Sequence, residues 1–335
     1  GGAPAAVQME VAVDVKIGLL LGSRGLVMRA QREGRAVDAG PMLDLAERAE
    51  AAGLDSVWVG DSLVSKPRLE PVAAMAAIAA RTSRVRIGTA VMLPAIRSLV
   101  PLAHSLATVD VLSGGRIVLA MGVGGAFTPE QAQDFAAAGI DPKTRAGRLT
   151  EMVRAMRMLW TEEHVSFDGK HVQLDDVTLY PRPVQPGGIP MLLATHYRTG
   201  SEAQALRAAR HGDGIMGISD SPDEFAQTIA KVEELARAEG RDPAKLERVY
   251  YMTVNIDDDA ARAQADADDF LMAYYGVRHW AERWGPWGPA NAVVDRMQAF
   301  ADAGARELVV RFASWDQQAQ WARFEAEVLP ALRQA

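Results

Sequence analysis

A histidine and a short hydroxyl-bearing loop stand where side chains could do chemistry. His196 directly follows a predicted strand at residues 190–195, so its imidazole could act there as an acid or as a hydrogen-bond donor. The loop Thr199-Gly200-Ser201 precedes a predicted helix, and free amides with a hydroxyl at a helix start bind phosphate well. The alternatives are structural, because a histidine can simply be satisfied by its neighbours and such a loop can simply cap a helix.

Three glycines form a second candidate site. Gly122, Gly124 and Gly125 directly follow the apolar run at 117–121, and residues without a side chain let the backbone approach a ring or a phosphate closely. The run is not a dinucleotide-binding fingerprint, since Phe127 stands where the last glycine is required and the strand comes too late in the chain.

The elements that must position these residues are most readable between residues 86 and 125. Two apolar runs, 86–92 and 117–121, flank a segment whose apolar residues recur at helical spacing from Leu99 to Val109. Strands of this kind, hardly alternated and joined by a helix, are predicted to be parallel and buried on both faces. Ligand sites in such sheets and barrels lie beyond the carboxyl ends of the strands.

The same order of helix, glycine and strand recurs along the chain, which favours one repeated β/α architecture over two unlike domains. Eight strands are predicted, and eight is the number of a (β/α)8 TIM barrel. They are placed at residues 13–21, 56–60, 86–92, 116–122, 190–195, 213–218, 248–256 and 306–312.

An insertion is predicted between the fourth and fifth strands. Apolar residues on one face of residues 145–160 predict a helix. The alternating segment at 165–174 turns about Asp168-Gly169, which predicts a β-hairpin outside the barrel.

Two further segments could border the barrel mouth or pack against the barrel. Residues 22–40 are polar and contain glycine, so we expect a loop that could serve as a lid or pocket wall over the barrel mouth. Aromatic residues crowd the segment near residue 280, and we expect packing in the core or between subunits rather than a pocket wall. They are Tyr274, Tyr275, Trp280, Trp284 and Trp287.

The sequence resembles the luciferase-like monooxygenase superfamily, which includes bacterial luciferase, flavin-dependent monooxygenases and coenzyme F420-dependent dehydrogenases and reductases. The resemblance covers roughly residues 13–332. The segments that carry it most specifically are Ile87-Gly88-Thr89-Ala90-Val91, Ala107-Thr108-Val109-Asp110, Leu112-Ser113-Gly114-Gly115-Arg116 and Gly122-Val123-Gly124.

The resemblance implies a cofactor at the mouth of the barrel. Asp61 would contact cofactor or substrate, although a turn or helix-capping role is an equal alternative. Ala90-Val91 matches a strand where the superfamily has a non-proline cis peptide against the cofactor ring, and residues 195–201 match the loop that holds the cofactor phosphate. The full prediction names Asp61 and His196 as catalytic, and as cofactor-binding Asp61, Ala90, Val91, Gly122, Gly124, Gly125, Ala194, Thr195, Thr199, Gly200, Ser201 and Met216.

Two departures from the F420-dependent dehydrogenases are visible. Ser62 stands where those enzymes have a catalytic histidine, and a serine cannot relay protons near neutral pH as an imidazole does. Gly125 stands where they often have a glutamate. Both departures count against a sugar-phosphate dehydrogenase in particular.

The resemblance therefore implies an oxidoreductase that uses F420 for hydride transfer to or from a small organic substrate. One alternative is an FMN-dependent monooxygenase that uses reduced flavin and oxygen, and another is a flavin- or F420-binding protein without turnover. A lyase or aldolase on the same fold would need a lysine or metal-binding carboxylates at strand ends, and the sequence predicts none.

The composition and charge of the chain limit the kinds of partner and ligand that it is expected to bind. The net charge of −7 without a basic cluster argues against nucleic acid, and no histidine pair has metal-ligand spacing, so we predict no metal. The chain has no cysteine and no signal or membrane segment, which fits a cytoplasmic protein. We expect residues 1–10 to be a disordered lead or expression scar, residues 11–335 to form one domain, and the resemblance implies a homodimer.

Overall fold

The computed structural model describes residues 15–276 and 283–333, and the predicted lead at 1–10 lies outside them. Its strands are β1 Lys16–Leu20, β2 Ser56–Val59, β3 Arg86–Met92, β4 Ile117–Met121, β5 Val165–Asp168, β6 Gln173–Val177, β7 Met191–Ala194, β8 Gly214–Ile218, β9 Glu247–Ile256, β10 Trp287–Gly288 and β11 Glu307–Phe312.

The helices lie mostly between consecutive strands. They are α1 Ser23–Glu33, α2 Gly40–Ala51, α3 Pro71–Arg81, α4 Leu99–Ser113, α5 Pro129–Ala138, α6 Arg145–Thr161, α7 Glu202–His211, α8 Pro222–Ala238, α9 Ala260–Tyr275, α10 Ala290–Asp302, α11 Gln317–Arg323 and α12 Leu329–Leu332. A π-helical turn, Phe324–Val328, joins the last two.

Eight parallel strands close into a barrel in the order β1-β2-β3-β4-β7-β8-β9-β11, with β11 pairing back onto β1. The predicted TIM barrel is therefore confirmed, and each predicted strand lies in the barrel. The hairpin of β5 and β6 is antiparallel and follows α6 between the fourth and fifth barrel strands, as predicted.

One prediction is wrong. The segment at 22–40 is mainly helix α1, which ends at Gly34 in the left-handed conformation. That glycine donates its amide hydrogen to carbonyls of the last turn, so the helix has a proper C-terminal cap. Most of the segment that follows β1 is therefore a helix beside the barrel mouth, and not the predicted loop.

Two apolar layers hold the fold together. The larger lies between the outer faces of the strands and the helices, and the smaller fills the barrel interior. In the interior, Trp58 is fully buried and takes up the space near the amino ends of the strands, while Tyr251 and Met216 lie toward the site described below. Filling the lower interior leaves open volume only near the carboxyl ends.

Polar side chains close the barrel at the amino ends of its strands. Glu307 is buried, accepts a hydrogen bond from the Ser56 hydroxyl at 2.5 Å, and lies 3.5 Å from Arg86. Arg86 also pairs with Glu247 at 2.8 Å. Burial raises the pKa of Glu307 above its ordinary value, and the Ser56 hydrogen bond and the charge of Arg86 oppose that rise.

This cluster generates a stability prediction. Arg86→Met would leave Glu307 buried without its cation, so we expect the free energy of unfolding to fall by about 3 kcal/mol. Urea unfolding followed by circular dichroism measures the change. The double variant Arg86→Met/Glu307→Gln should recover part of the loss, and Arg237→Met, in an exposed pair with Glu233, should change stability by less than about 1 kcal/mol. Equal losses in Arg86→Met and the double variant would contradict the assignment.

Candidate active site

A cavity of about 390 Å³ opens at the carboxyl ends of the barrel strands. It brings together most of the residues that the sequence predicts for a site. Those that line it are Asp61, Ala90, Val91, Gly122, Gly124, Gly125, Ala194, His196, Thr199 and Met216. Thr195, Gly200 and Ser201 do not line it: Thr195 is buried with its hydroxyl on the Leu193 carbonyl, and the other two are exposed beside Thr199.

One wall of the cavity is an irregular stretch of β3. The pairing of β3 with β4 shifts register between Thr89 and Met92, and the peptide bond between Ala90 and Val91 is cis, as the resemblance implied. The Thr89 hydroxyl donates to the Ala120 carbonyl at 2.9 Å, which fixes the strand just before the irregularity. Gly122 is required beside it, because a Cβ there would lie 2.9 Å from a methyl group of Val91. The result is an apolar wall with no projecting polar side chain.

Asp61 lies at the end of β2, but its carboxylate is fully used by neighbours. Arg97 donates to both carboxylate oxygens, at 2.6 and 2.8 Å, and the Leu93 amide donates at 2.8 Å. The Asp61 side chain has no exposed surface. Burial opposes the charge of Arg97, yet the carboxylates of Asp61 and Glu70 hold the pKa of Arg97 above its ordinary value. Asp61 thus anchors the segment after β3 and has no free oxygen for proton transfer.

Ser62 is tied into a separate network. Its hydroxyl donates to Asp134 at 2.9 Å and accepts from the Lys66 amide at 3.0 Å. Asp134 also accepts from the amides of Val64 and Ser65 at 2.7 Å. Burial opposes ionisation of Asp134, but these amide hydrogen bonds keep its pKa below the ordinary value. The position that holds histidine in the resembled dehydrogenases is therefore a structural turn in this chain.

His196 has the chemistry that Asp61 and Ser62 lack. Its Nδ1 atom is buried and has no hydrogen-bond partner, and the side chain lines the cavity. Burial lowers the pKa of His196 below its ordinary value, and a hydrogen bond with the Ile218 backbone opposes that shift. The imidazole is therefore neutral near pH 7 and can accept a proton or a hydrogen bond.

The loop that follows His196 leads to a cation that sequence reasoning missed. The Thr199 hydroxyl donates to the His196 carbonyl at 3.0 Å, and the Ser201 side chain makes no capping hydrogen bond to α7. Arg207 lies two turns into α7, lines the cavity and donates to the Thr150 hydroxyl at 2.8 Å. Burial lowers the pKa of Arg207. A threonine hydroxyl and a guanidinium thus face the same end of the cavity.

The opposite end of the cavity is lined by residues that the sequence prediction also missed. They are Lys66, Arg68, Tyr251, Tyr274, Tyr275 and Arg311. The expectation of core packing for the aromatic cluster is confirmed for Tyr274 and Trp284, which lie in a buried apolar cluster. Tyr274 and Tyr275 also form pocket wall, which that expectation did not include, and Trp280 lies outside the described residues. A signal for Arg311 was present, because it is a charged residue inside the apolar run of β11.

Comparison with known proteins gives the family. The family model for luciferase-like monooxygenases matches residues 15–285, which include the irregular β3, the glycine turn and the loop after β7. The chain belongs to the luciferase-like monooxygenase family. Within the residues described, no group of three or more histidine, cysteine or acidic side chains could hold a metal ion, and no helix is long and apolar enough to cross a membrane.

Members of the family with high similarity are named as F420-dependent enzymes. An F420-dependent glucose-6-phosphate dehydrogenase from Kineococcus radiotolerans is 31% identical over 88% of this chain and 93% of its own length. Its counterpart from Amycolatopsis mediterranei is 30% identical over 87% and 94%. A solved F420-dependent secondary alcohol dehydrogenase in complex with an F420-acetone adduct is 25% identical, with a TM-score of 0.76 over 96% of this chain and 99% of its own.

A buried carboxyl beside the site generates a pH prediction. Asp220 has no exposed surface, its Oδ1 has no partner, and burial raises its pKa from 3.8 to about 6. The folded state therefore binds a proton that the unfolded state releases, and the free energy of unfolding should fall as pH rises from 3.8 to about 6.

Asp220→Asn removes this titration. We expect the variant to gain stability relative to the native chain as pH rises through that window, by at most about 3 kcal/mol. Urea midpoints at pH 4, 5, 6 and 7 measure it, with the exposed Asp175→Asn as control. Parallel pH profiles of native chain and Asp220→Asn would disprove the shift.

Proposed function

We propose that this chain is an F420-dependent oxidoreductase, which transfers hydride to or from a small organic molecule at the barrel mouth. The observation that carries the proposal is the apolar cavity wall of Ala90, Val91 and Gly122, in a chain of which 87–88% matches F420-dependent relatives. When bound, F420 would supply a ring carbon that gives or takes the hydride.

The residues present fit such a cofactor. The apolar wall of β3, the bare turn after β4 and Met216 of β8 offer a smooth surface for a planar ring. At one end of this surface, Thr199 and Arg207 supply a hydroxyl and a cation suited to the phosphate of the cofactor tail. Gly200 and Ser201 are exposed next to Thr199, but their backbone amides already donate within the loop, to the Tyr197 carbonyl at 3.0 Å and to the Thr199 hydroxyl at 3.3 Å.

Proton handling is assigned to His196. An alcohol that loses hydride must also lose its hydroxyl proton. His196 lines the cavity, its imidazole is neutral near pH 7, and its buried Nδ1 has no hydrogen-bond partner. Asp61 acts through structure instead, because its ion pair with Arg97 fixes the segment that follows β3.

Further aspects of the function belong to the same proposal. We expect a homodimer that acts in the cytoplasm on a small molecule, without nucleic acid or membrane as a partner. Analytical ultracentrifugation measures the oligomeric state.

The cofactor assignment is tested by separate titrations with F420 and FMN, followed by cofactor absorbance and tryptophan fluorescence. We expect F420 to bind at least tenfold more tightly than FMN. Reduced F420 should lose its hydride to an accepting substrate, whereas a monooxygenase would instead consume oxygen with reduced FMN. Tight F420 binding without any hydride exchange across a carbonyl and alcohol library would favour a binding protein.

Two arginines on α7 provide matched variants for the same titration. Arg207→Gln should weaken F420 binding by about tenfold, because a charge-assisted contact to phosphate is lost. Arg210→Gln lies on the same helix but pairs with Glu239 at the surface, so it should leave F420 binding unchanged. The ring portion of F420 without its phosphate tail should bind equally to all three proteins.

A pH profile tests His196. Because burial lowers the pKa of His196, the acid-side decline of kcat/KM for alcohol oxidation should occur at lower pH than an ordinary histidine would give. His196→Gln should lower kcat by about a hundredfold or more and remove this decline. The exposed His104→Gln is the control. A preserved acid limb in His196→Gln would assign the proton to another group.

A further inference from the structure

Three cations line the end of the cavity that lies away from Arg207. Lys66 and Arg68 lie in the segment after β2, and Arg311 is the second-last residue of β11. We propose that these side chains form a subsite for an anionic group of the substrate, so that the substrate is a small organic carboxylate or phosphate ester. The inference rests on the proposed function for the reaction, but not for the binding of the anion.

The cations have no carboxylate partners. In residues 15–276 and 283–333, no acidic oxygen lies within ion-pair distance of Lys66, Arg68 or Arg311. The two carboxylates that line the cavity are occupied elsewhere, Asp61 by Arg97 and Asp134 by Ser62 and backbone amides. Among the described residues, the cations at this end of the cavity are thus not balanced by a carboxylate, in a protein whose net charge is −7.

Arg311 is a buried guanidinium with a donor that has no hydrogen-bond partner. It is only 4% exposed, donates to the Tyr275 hydroxyl at 2.6 Å and to the Thr253 hydroxyl at 3.1 Å, and its buried Nη2 has no partner. A buried guanidinium with an unmet donor is costly unless something accepts from it. An anionic oxygen in the cavity would satisfy that donor.

The neighbouring cations are held by backbone and aromatic groups. The Lys66 Nζ lies 4.9 Å from the centre of the Tyr275 ring, and Arg68 donates to the Lys66 carbonyl at 3.1 Å. Arg68 reaches over the end of β2, where a Cβ on Gly60 would lie 2.2 Å from its Nη1 atom. Burial lowers the pKa of Lys66, and the positive charges of its neighbours act in the same direction.

A fourth cation, Arg24, lies close to the same group of tyrosines and adds to the positive charge at this end of the cavity. Arg24 of α1 is 9% exposed and lies 4.8 Å from the Tyr274 ring, while Arg311 lies 5.2 Å from the same ring. Its Nε and Nη1 atoms are buried without partners. Cation–π contacts with the tyrosine rings compensate only part of these positive charges. Among the described residues, neither Arg24 nor Arg311 forms an ion pair with a carboxylate.

The position of the cluster separates it from the cofactor tail. Arg311 lies near the end of β11, and Lys66 and Arg68 both follow β2, which is separated from β11 in the barrel only by β1. The glycine turn and the loop of Thr199 follow β4 and β7, which lie on the other side. With the cofactor phosphate at Thr199 and Arg207, the cation cluster remains for the other reactant.

The test measures anion binding directly, apart from turnover. The probes are inorganic phosphate, malonate and glucose 6-phosphate, titrated by isothermal calorimetry and by fluorescence, to which Trp284 contributes because its ring centre lies 5.0 Å from the Arg311 guanidinium. The variants are Lys66→Met, Arg68→Gln and Arg311→Gln, with the exposed Arg237→Gln as control. Circular dichroism checks each fold, and the two less buried variants keep the test valid if Arg311→Gln is unstable.

We expect at least one probe to bind the native chain and Arg237→Gln, and to bind each cluster variant about tenfold more weakly, with F420 affinity changed less than twofold. Preference for malonate or for the phosphates then identifies the substrate class. Unchanged probe affinity in the variants, or no probe binding to the native chain, would overturn the inference. Parallel loss of F420 affinity would assign the cluster to the cofactor and overturn it as well. Anion binding without F420 binding would instead remove the proposed function and leave the subsite.

Discussion

Strand β11 pairs with both β9 and β1, and this closure places the carboxyl ends of all eight barrel strands on one rim. Polar groups at the two rims then have different surroundings. At the amino rim, Arg86 pairs with both Glu307 and Glu247, and Trp58 fills the interior above them. At the carboxyl rim the interior stays open, and the side chains of His196, Arg207 and Arg311 line a cavity there. Stability and chemistry are thus separated along the barrel axis.

The barrel could be predicted because its strands are short apolar runs with little alternation, the pattern of strands buried on both faces. The β5-β6 hairpin could be predicted from Asp168-Gly169 and its alternating flanks. Helix α1 was missed because it is mostly polar and has few apolar residues, so the segment was interpreted as a loop. It is held by contacts from elsewhere in the chain, such as Gly25 against the Phe270 ring, and tertiary contacts of this kind override local propensity.

The sequence predicted where the site residues lie better than it predicted what each of them does. Asp61 was correctly placed at the end of β2, but its partner Arg97 lies 36 residues later, and no local pattern reveals that pairing. The same limit applies to Arg311, which meets Tyr275 across a separation of 36 residues. A titratable side chain acquires its chemistry from neighbours that only the fold brings together, so residue type and strand position indicate where a site lies but not which group is free to act.

The charges at the carboxyl rim also bear on Tyr274. Burial opposes ionisation of its phenol, yet Arg68, Arg311, Arg24 and Lys66 together hold the pKa of Tyr274 below its ordinary value. An anion seated among these cations would cancel part of their field and move that pKa back up. By linkage, the same anion would relieve the repulsion among the four cations and stabilise the fold around α9 and the end of β11. Anion binding, tyrosine protonation and local stability would therefore be coupled at one end of the cavity.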